Sequence, residues 1–221
     1  MPSRREAIHS RREAGFTLVE LAIVLVVIGI VVGAVLKGQE LIYNAKVKRT
    51  VSLIKELMAA VQIYYDRYGY LPGDDPTASS RWSGAPDGNG DGIICYRFWD
   101  CPPSANRDEY KYLIRHLRYA NLISGDPNET DPWIQIPIGS TRASVVSTIH
   151  IATWTASGNP HFGKLVAHVL AIPGEASEII DRIMDDGNCT TGSLISWDVN
   201  AGAWCSGTYL KDRSYDLHVF F

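Results

Sequence analysis

Cysteine is scarce in this 221-residue sequence: Cys95, Cys101, Cys189 and Cys205 form no C-x-x-C pair and have no histidine at zinc-ligand spacing beside them. That argues against a structural zinc site. Motifs that bear catalysis are also missing. There is no Gly-x-Ser-x-Gly, no His-Glu-x-x-His and no Gly-x-x-x-x-Gly-Lys to cradle phosphate, so the sequence does not read as an enzyme. His116, His150, His161, His168 and His218 are scattered. His150 and His168 fall in strand-like runs and read as satisfied sheet residues that meet across two strands, not as a metal or catalytic pair. Strong charge of either sign is lacking: 21 cationic against 24 acidic side chains leave a net charge of −3. No general electrostatic attraction to nucleic acid follows. There is no internal repeat, and a composition 46% hydrophobic and 20% charged excludes disordered and collagen-like chains.

What is present is unevenly placed. Between Phe16 and Leu36, 17 of 21 residues are apolar, with Thr17 and Glu20 the strongly polar ones. A helix of that length rises about 30 Å, enough to cross a bilayer. Arg4, Arg5, Arg11 and Arg12 precede it and no arginine follows immediately, which predicts a leader in the cytoplasm and the remainder outside. Removing residues 1–15 leaves 17 cationic and 22 acidic side chains, a net charge of −5. A secretory signal peptide has a shorter apolar core and a small-x-small cleavage site, which Lys37-Gly38-Gln39-Glu40-Leu41 does not offer. A plain signal anchor accounts for the arginines and the apolar run. It leaves Glu20 unexplained, since a carboxylate within hydrocarbon costs roughly 2–3 kcal/mol.

Gly15-Phe16-Thr17-Leu18-Val19-Glu20, behind a basic leader and ahead of an unbroken apolar helix, closely resembles the type III signal of type IV pilins and type II secretion pseudopilins. The resemblance implies that a prepilin peptidase cuts between Gly15 and Phe16 and methylates the new N-terminal Phe16. It also implies a role for Glu20, the fifth residue after the cut. In a filament its carboxylate pairs with the Phe16 ammonium of a neighbouring subunit, each charge offsetting the other's cost in an apolar core and setting the axial stagger. The partners implied are other pilin-like subunits, the peptidase, an inner-membrane assembly platform and membrane lipid, with filament motion driven by a cytoplasmic ATPase. One departure stands out. Lys37 occupies the place, about twenty residues after the cut, where many major pilins have proline, while Gly29, Gly33 and Gly38 are weak helix positions. Local unwinding and a continuous helix are both open.

Four segments follow: residues 1–15 as cleaved leader, 16–36 as transmembrane and assembly helix, 37–68 as its amphipathic extension, and 69–221 as a periplasmic or extracellular head. In the extension, Tyr43, Val47, Val51, Ile54, Met58, Val61, Tyr65 and Tyr68 recur at steps of three and four, widened by Leu57, Ala60 and Tyr64. Gly69 and Pro72-Gly73 end it. Residues 72–92, rich in Gly, Pro, Asp and Ser, read as a loop. A second helix is expected over residues 107–121, opened by an Asn106/Glu109 capping box, with Tyr110, Leu113, Ile114 and Leu117 as its apolar stripe. A third is expected over 175–186, with Ala176, Ile179, Ile180, Ile183 and Met184 inward. Strands are expected over 133–137, 145–154, 164–172, 193–199, 203–210 and 215–221. The fold class is α+β and pilin-like: a long N-terminal helix, membrane-spanning in its first half, packed on a head of antiparallel sheet and two shorter helices.

Within the head, Asp87-Gly88-Asn89-Gly90-Asp91-Gly92-Ile93 places oxygen ligands at alternate positions and glycine at the sixth, like the first half of an EF-hand loop. Asp87, Asn89, Asp91 and the Ile93 carbonyl are the candidate calcium ligands. The twelfth position is Phe98 rather than a bidentate acid, so Asp74, Asp75 or Asp100 would have to substitute, and a tight Asx/Gly turn is the competing reading. Asp185, Asp186 and Asn188 read as a helix end running into a turn. In an oxidising compartment the four cysteines suit two disulfides. Of three connectivities, proximity favours Cys95–Cys101 and Cys189–Cys205, the latter worth roughly 3 kcal/mol by loop closure. The six tryptophans include candidates for a carbohydrate platform, although most read as core or subunit contacts. The expected role is a structural filament subunit held in the inner membrane by one pass, with the head in the periplasm. A minor tip pilin that grips a surface, glycan or DNA is the alternative, and a membrane-anchored periplasmic enzyme the remote one.

Overall fold

The computed structural model describes residues 16–94, 106, 108–138, 148–153 (as backbone) and 164–221. The leader with Gly15, the cysteines Cys95 and Cys101, and Phe98, Trp99, Asp100, Trp154 and His161 lie outside the described residues. A single helix, α1, runs from Leu18 to Tyr68. The chain divides into two compact units, one ending at Tyr43 and the other starting at Asn44.

In the first unit α1 from Leu21 to Leu36 is apolar on every side and its large side chains are exposed, with Leu25 at 70% and Leu36 at 62%. It is long and apolar enough to span a membrane. Helical hydrogen bonding continues through Gly29, Gly33, Lys37 and Gly38. With no proline to remove an N–H, the continuous helix is the arrangement found.

In the second unit α1 buries Val47, Thr50, Val51, Ile54, Leu57, Ala60, Val61 and Tyr64. The stripe drifts as it ascends. Tyr65, expected inward, is 48% exposed, whereas Tyr64 is fully buried. The reason is polar: the Tyr64 hydroxyl donates to Asp75 Oδ2 at 2.7 Å, and Asp75 is itself fully buried.

The remaining helices are α2 (Ala78–Arg81), one turn inside the stretch expected to be irregular, α3 (Glu109–Tyr119) and α4 (Gly174–Met184). Both longer ones are shorter than expected. The Asn106/Glu109 capping box does not form: Asn106 Oδ1 accepts from the Asp108 N–H in an Asx turn, and Glu109 bonds the Asn89 N–H instead. On α4, Ile183 is 45% exposed while Asp181 is buried. Asp181 turns inward because Tyr209 donates its hydroxyl to it at 2.7 Å.

Six strands, β1 (Ile134–Gln135), β2 (Thr148–Thr153), β3 (Leu165–Pro173), β4 (Leu194–Asp198), β5 (Ala203–Trp204) and β6 (Ser214–Phe220), form one antiparallel sheet in the order β1-β2-β3-β6-β4-β5. Central β3 and β6 are largely buried, and α4 packs against both. Val166, Val169, Ile172, Ile180, Leu194 and Leu217 are fully buried there. A register shift between Val169 and Ile172 puts Ala171 at φ +58°, its N–H held by Asp216 Oδ1 at 2.8 Å. The fifth strand is two residues, not the expected eight, because the chain leaves the sheet at Cys205 for its disulfide to Cys189.

Candidate functional site

At the start of α1, Thr17 and Glu20 form a reciprocal capping box. The Thr17 N–H and hydroxyl both donate to Glu20 Oε2 at 2.8 Å, and the Glu20 N–H approaches Thr17 Oγ1 at 3.3 Å. Thr-x-x-Glu is a helix-start signature, so the pattern was available in the sequence and went unread beside the glutamate's expected role in filament register. Glu20 thus orders the first turn of its own helix, immediately after the exposed Phe16.

The second constellation lies where residues 73–76, the 87–93 segment and α3 converge. The Asp74 carboxylate gathers three backbone donors: Gly90 N–H at 2.7 Å and Asp91 N–H at 3.1 Å to Oδ1, and Gly92 N–H at 2.8 Å to Oδ2. The alternating glycines permit this wrapping. A Cβ at Gly88 would sit 2.3 Å from the Asp74 carbonyl carbon, and Gly90 and Gly92 have φ of +75° and +81°. Asn89 and Asp91 each close an Asx turn, accepting from the Asp91 and Ile93 N–H groups at 2.9 and 2.8 Å.

Asp87, Asn89 and Asp91, read together as calcium ligands, part company. Asp87 points to α2, where Ser79 gives it both its N–H (2.7 Å) and its hydroxyl (2.6 Å), and those bonds hold its carboxyl below the usual range. Asp75 is likewise committed, to Tyr64, Thr77 and Arg81. Asp91 instead meets Asp74 and Glu109, with one carboxylate oxygen from each lying within 4.8 Å of the others. Glu109 is fully buried in the first turn of α3. Its Oε1 accepts from the Asn89 N–H at 2.9 Å, while Oε2 is buried and has no hydrogen-bond partner among the described residues. Burial pushes the Glu109 carboxyl up to about 8, and burial also raises Asp74 against the pull of its backbone donors. Glu109 is the member the sequence reading missed, because the capping-box pattern gave it a local use.

His116 fastens the same segment from α3. Its Nδ1 accepts the Gly73 N–H at 2.9 Å and its Nε2 faces the Pro86 carbonyl at 2.8 Å, which places the ring proton on Nε2. The side chain is fully buried, and burial holds its pKa down at about 4. Beside it Tyr64, Tyr68, Trp82 and Tyr119 form an aromatic cluster, with the Arg81 guanidinium 4.6 Å from the Tyr68 ring centre.

Elsewhere, Cys189 and Cys205 form the expected disulfide. Asp185 and Asp186 follow α4 into a turn, accepting from Leu194 N–H and from Asn188 N–H and Thr191 hydroxyl, respectively. Burial raises Asp181 to about 6. His150 and His168 are register partners across β2 and β3, and His218 continues the row on β6. Trp197 and Trp204 pack edge to face at 5.3 Å, with Trp204 45% exposed.

The molecule is thus an α+β protein with a pilin-like plan: a long N-terminal helix, apolar throughout its first half, then a head of antiparallel sheet and short helices. Residues 10–36, which contain Phe16 and Glu20, match the family model of the prokaryotic N-terminal methylation motif. The chain therefore carries a prepilin signal of the type IV pilin and pseudopilin kind. No curated protein and no solved structure matches the chain.

Proposed function

We propose that this chain is a structural, non-enzymatic subunit of a type IV pilus-like filament or a type II secretion pseudopilus. Prepilin peptidase cuts between Gly15 and Phe16 and methylates Phe16. Before assembly, the helix anchors the subunit in the inner membrane by one pass, with the head in the periplasm. An assembly platform then moves it into a filament of pilin-like subunits.

One observation carries this reading: the methylation motif coincides with the segment of α1 whose large apolar side chains are all exposed, Leu18 at 83% and Ile30 at 68% among them. Such a continuous apolar surface needs cover. Lipid supplies it for the lone subunit, and the helices of neighbouring subunits supply it in the filament. Glu20 then has two successive tasks. It caps its own helix through Thr17, and in the filament it neutralises the Phe16 ammonium of a neighbour.

Glu20→Gln separates these tasks, because glutamine keeps a capping box and loses the charge. Mass spectrometry of the wild-type chain from its host should find a methylated Phe16 N-terminus. The variant should be cleaved normally and fail to enter filaments. A wild-type chain retaining residues 1–15 overturns the processing, and normal filaments from Glu20→Gln overturn the charge pairing.

A further inference from the structure

We propose that Asp74, Asp91 and Glu109 form a calcium-binding site that ties the 87–93 segment to the first turn of α3. The observation that singles it out is Glu109 Oε2, a buried oxygen of a cluster member with no hydrogen-bond partner among the described residues. Buried carboxylate oxygens are ordinarily paired. The neighbours of this one are two further carboxylates, so the local chemistry calls for a cation.

The donor set also narrows the kind of cation. Three carboxylates are hard oxygen donors, suited to calcium or magnesium rather than to zinc or copper. Magnesium is usually held by one or two carboxylates and keeps several waters, whereas calcium takes a larger set of protein oxygens in flexible geometry. One oxygen from each of the three residues lies within 4.8 Å of the others, close enough to face one calcium ion. Asp91 is exposed, which opens the cluster to solvent, gives an ion a path in and leaves room for water ligands.

The other acidic cluster is differently placed. Among the described residues, none of Asp181, Asp185 and Asp186 has a buried oxygen without a hydrogen-bond partner. The proposed set also differs from the one the Asp-x-Asn-x-Asp spacing suggests. Asp91 is common to both, Asp87 turns to Ser79 on α2 and is not in the cluster, and Asp74 and Glu109 come from outside the motif. The proposal is independent of filament assembly.

The test uses the full chain in detergent micelles, stripped with EGTA and titrated with calcium chloride by calorimetry and native mass spectrometry. One calcium ion per chain is expected, together with a higher melting temperature in calcium than in EGTA. Glu109→Gln and Asp91→Asn should each weaken binding at least tenfold, and Asp87→Asn should leave it unchanged. Because Asp91 is exposed, Asp91→Asn tests the site even where Glu109→Gln impairs folding. No binding at millimolar calcium overturns the proposal. So does binding that survives Asp91→Asn, which would place the ion elsewhere, or binding lost in Asp87→Asn, which would restore the motif's own ligand set.

Discussion

Replacing His116 with phenylalanine keeps an aromatic ring against Tyr64, whose centre lies 6.0 Å away in a near-parallel stack, and deletes two buried hydrogen bonds. The Gly73 N–H and the Pro86 carbonyl lose their partner. An orphaned buried group costs about 1–3 kcal/mol, so with two of them the variant should be less stable by about 2–6 kcal/mol at neutral pH. That is a large share of the 5–15 kcal/mol typical of a domain.

The pH dependence makes the argument sharper. His116 is neutral in the folded chain and titrates at about 4, whereas a histidine in the unfolded chain titrates near 6.5. The folded-state value is the lower one, so the wild type has its full stability above about 6.5. Stability falls as the pH drops from there to about 4, by about 3 kcal/mol in all, because the unfolded chain takes up a proton that the native chain refuses. Phenylalanine has no such dependence. The gap between wild type and His116→Phe should therefore be widest at pH 7 and should close steadily towards pH 4.5. Urea unfolding of the full chain in detergent, followed by tryptophan fluorescence and run on both proteins at pH 7, 5.5 and 4.5, measures it. A gap that does not change with pH would refute the neutral clamp, and a gap below about 0.5 kcal/mol at pH 7 would refute the two-bond account.

Two further outcomes follow from the backbone and the cross-link. Changing both Cys189 and Cys205 to alanine opens a loop of sequence separation 16, worth about 3 kcal/mol. It should lower the melting temperature by about 6–12 °C, read by differential scanning calorimetry. Gly73→Ala should cost several times as much as Gly69→Ala when their urea midpoints are compared. Both glycines have positive φ, but a Cβ at Gly73 would lie 2.5 Å from the Glu109 carbonyl oxygen, while nothing lies within 4 Å of one at Gly69. Equal losses would show that close packing against α3 is immaterial.

Much of this protein could be read from local pattern. The prepilin signal needs only a basic leader, Gly15-Phe16, a spaced Glu20 and an apolar run, all contiguous in the chain. The helix to Tyr68, the apolar faces of α3 and α4, and most strands follow from the periodicity of burial. The Cys189–Cys205 pair was favoured by simple proximity. Even the Thr17–Glu20 box was legible, and it was overlooked because a more specific role for Glu20 lay to hand.

Several departures are of one kind: a polar side chain reaching a partner far along the chain. Tyr64 is buried with its hydroxyl on Asp75 while its neighbour Tyr65 stays half exposed. Asp181 faces inward and Ile183 outward because Tyr209 reaches across from beyond β5. Glu109 abandons the Asn106 cap for Asn89, 20 residues away, and Asp74 gathers N–H groups 16 to 18 residues on. The sequence by itself determined that the chain carries a prepilin signal, which segment is greasy and where the helices and most strands begin. Those properties depend on neighbours a few positions apart. Only the tertiary structure decided that the carboxylates of Asp74, Asp91 and Glu109 converge while Asp87 turns to Ser79. Which carboxylates meet depends on how loop and helix fold over one another, and no local spacing encodes that.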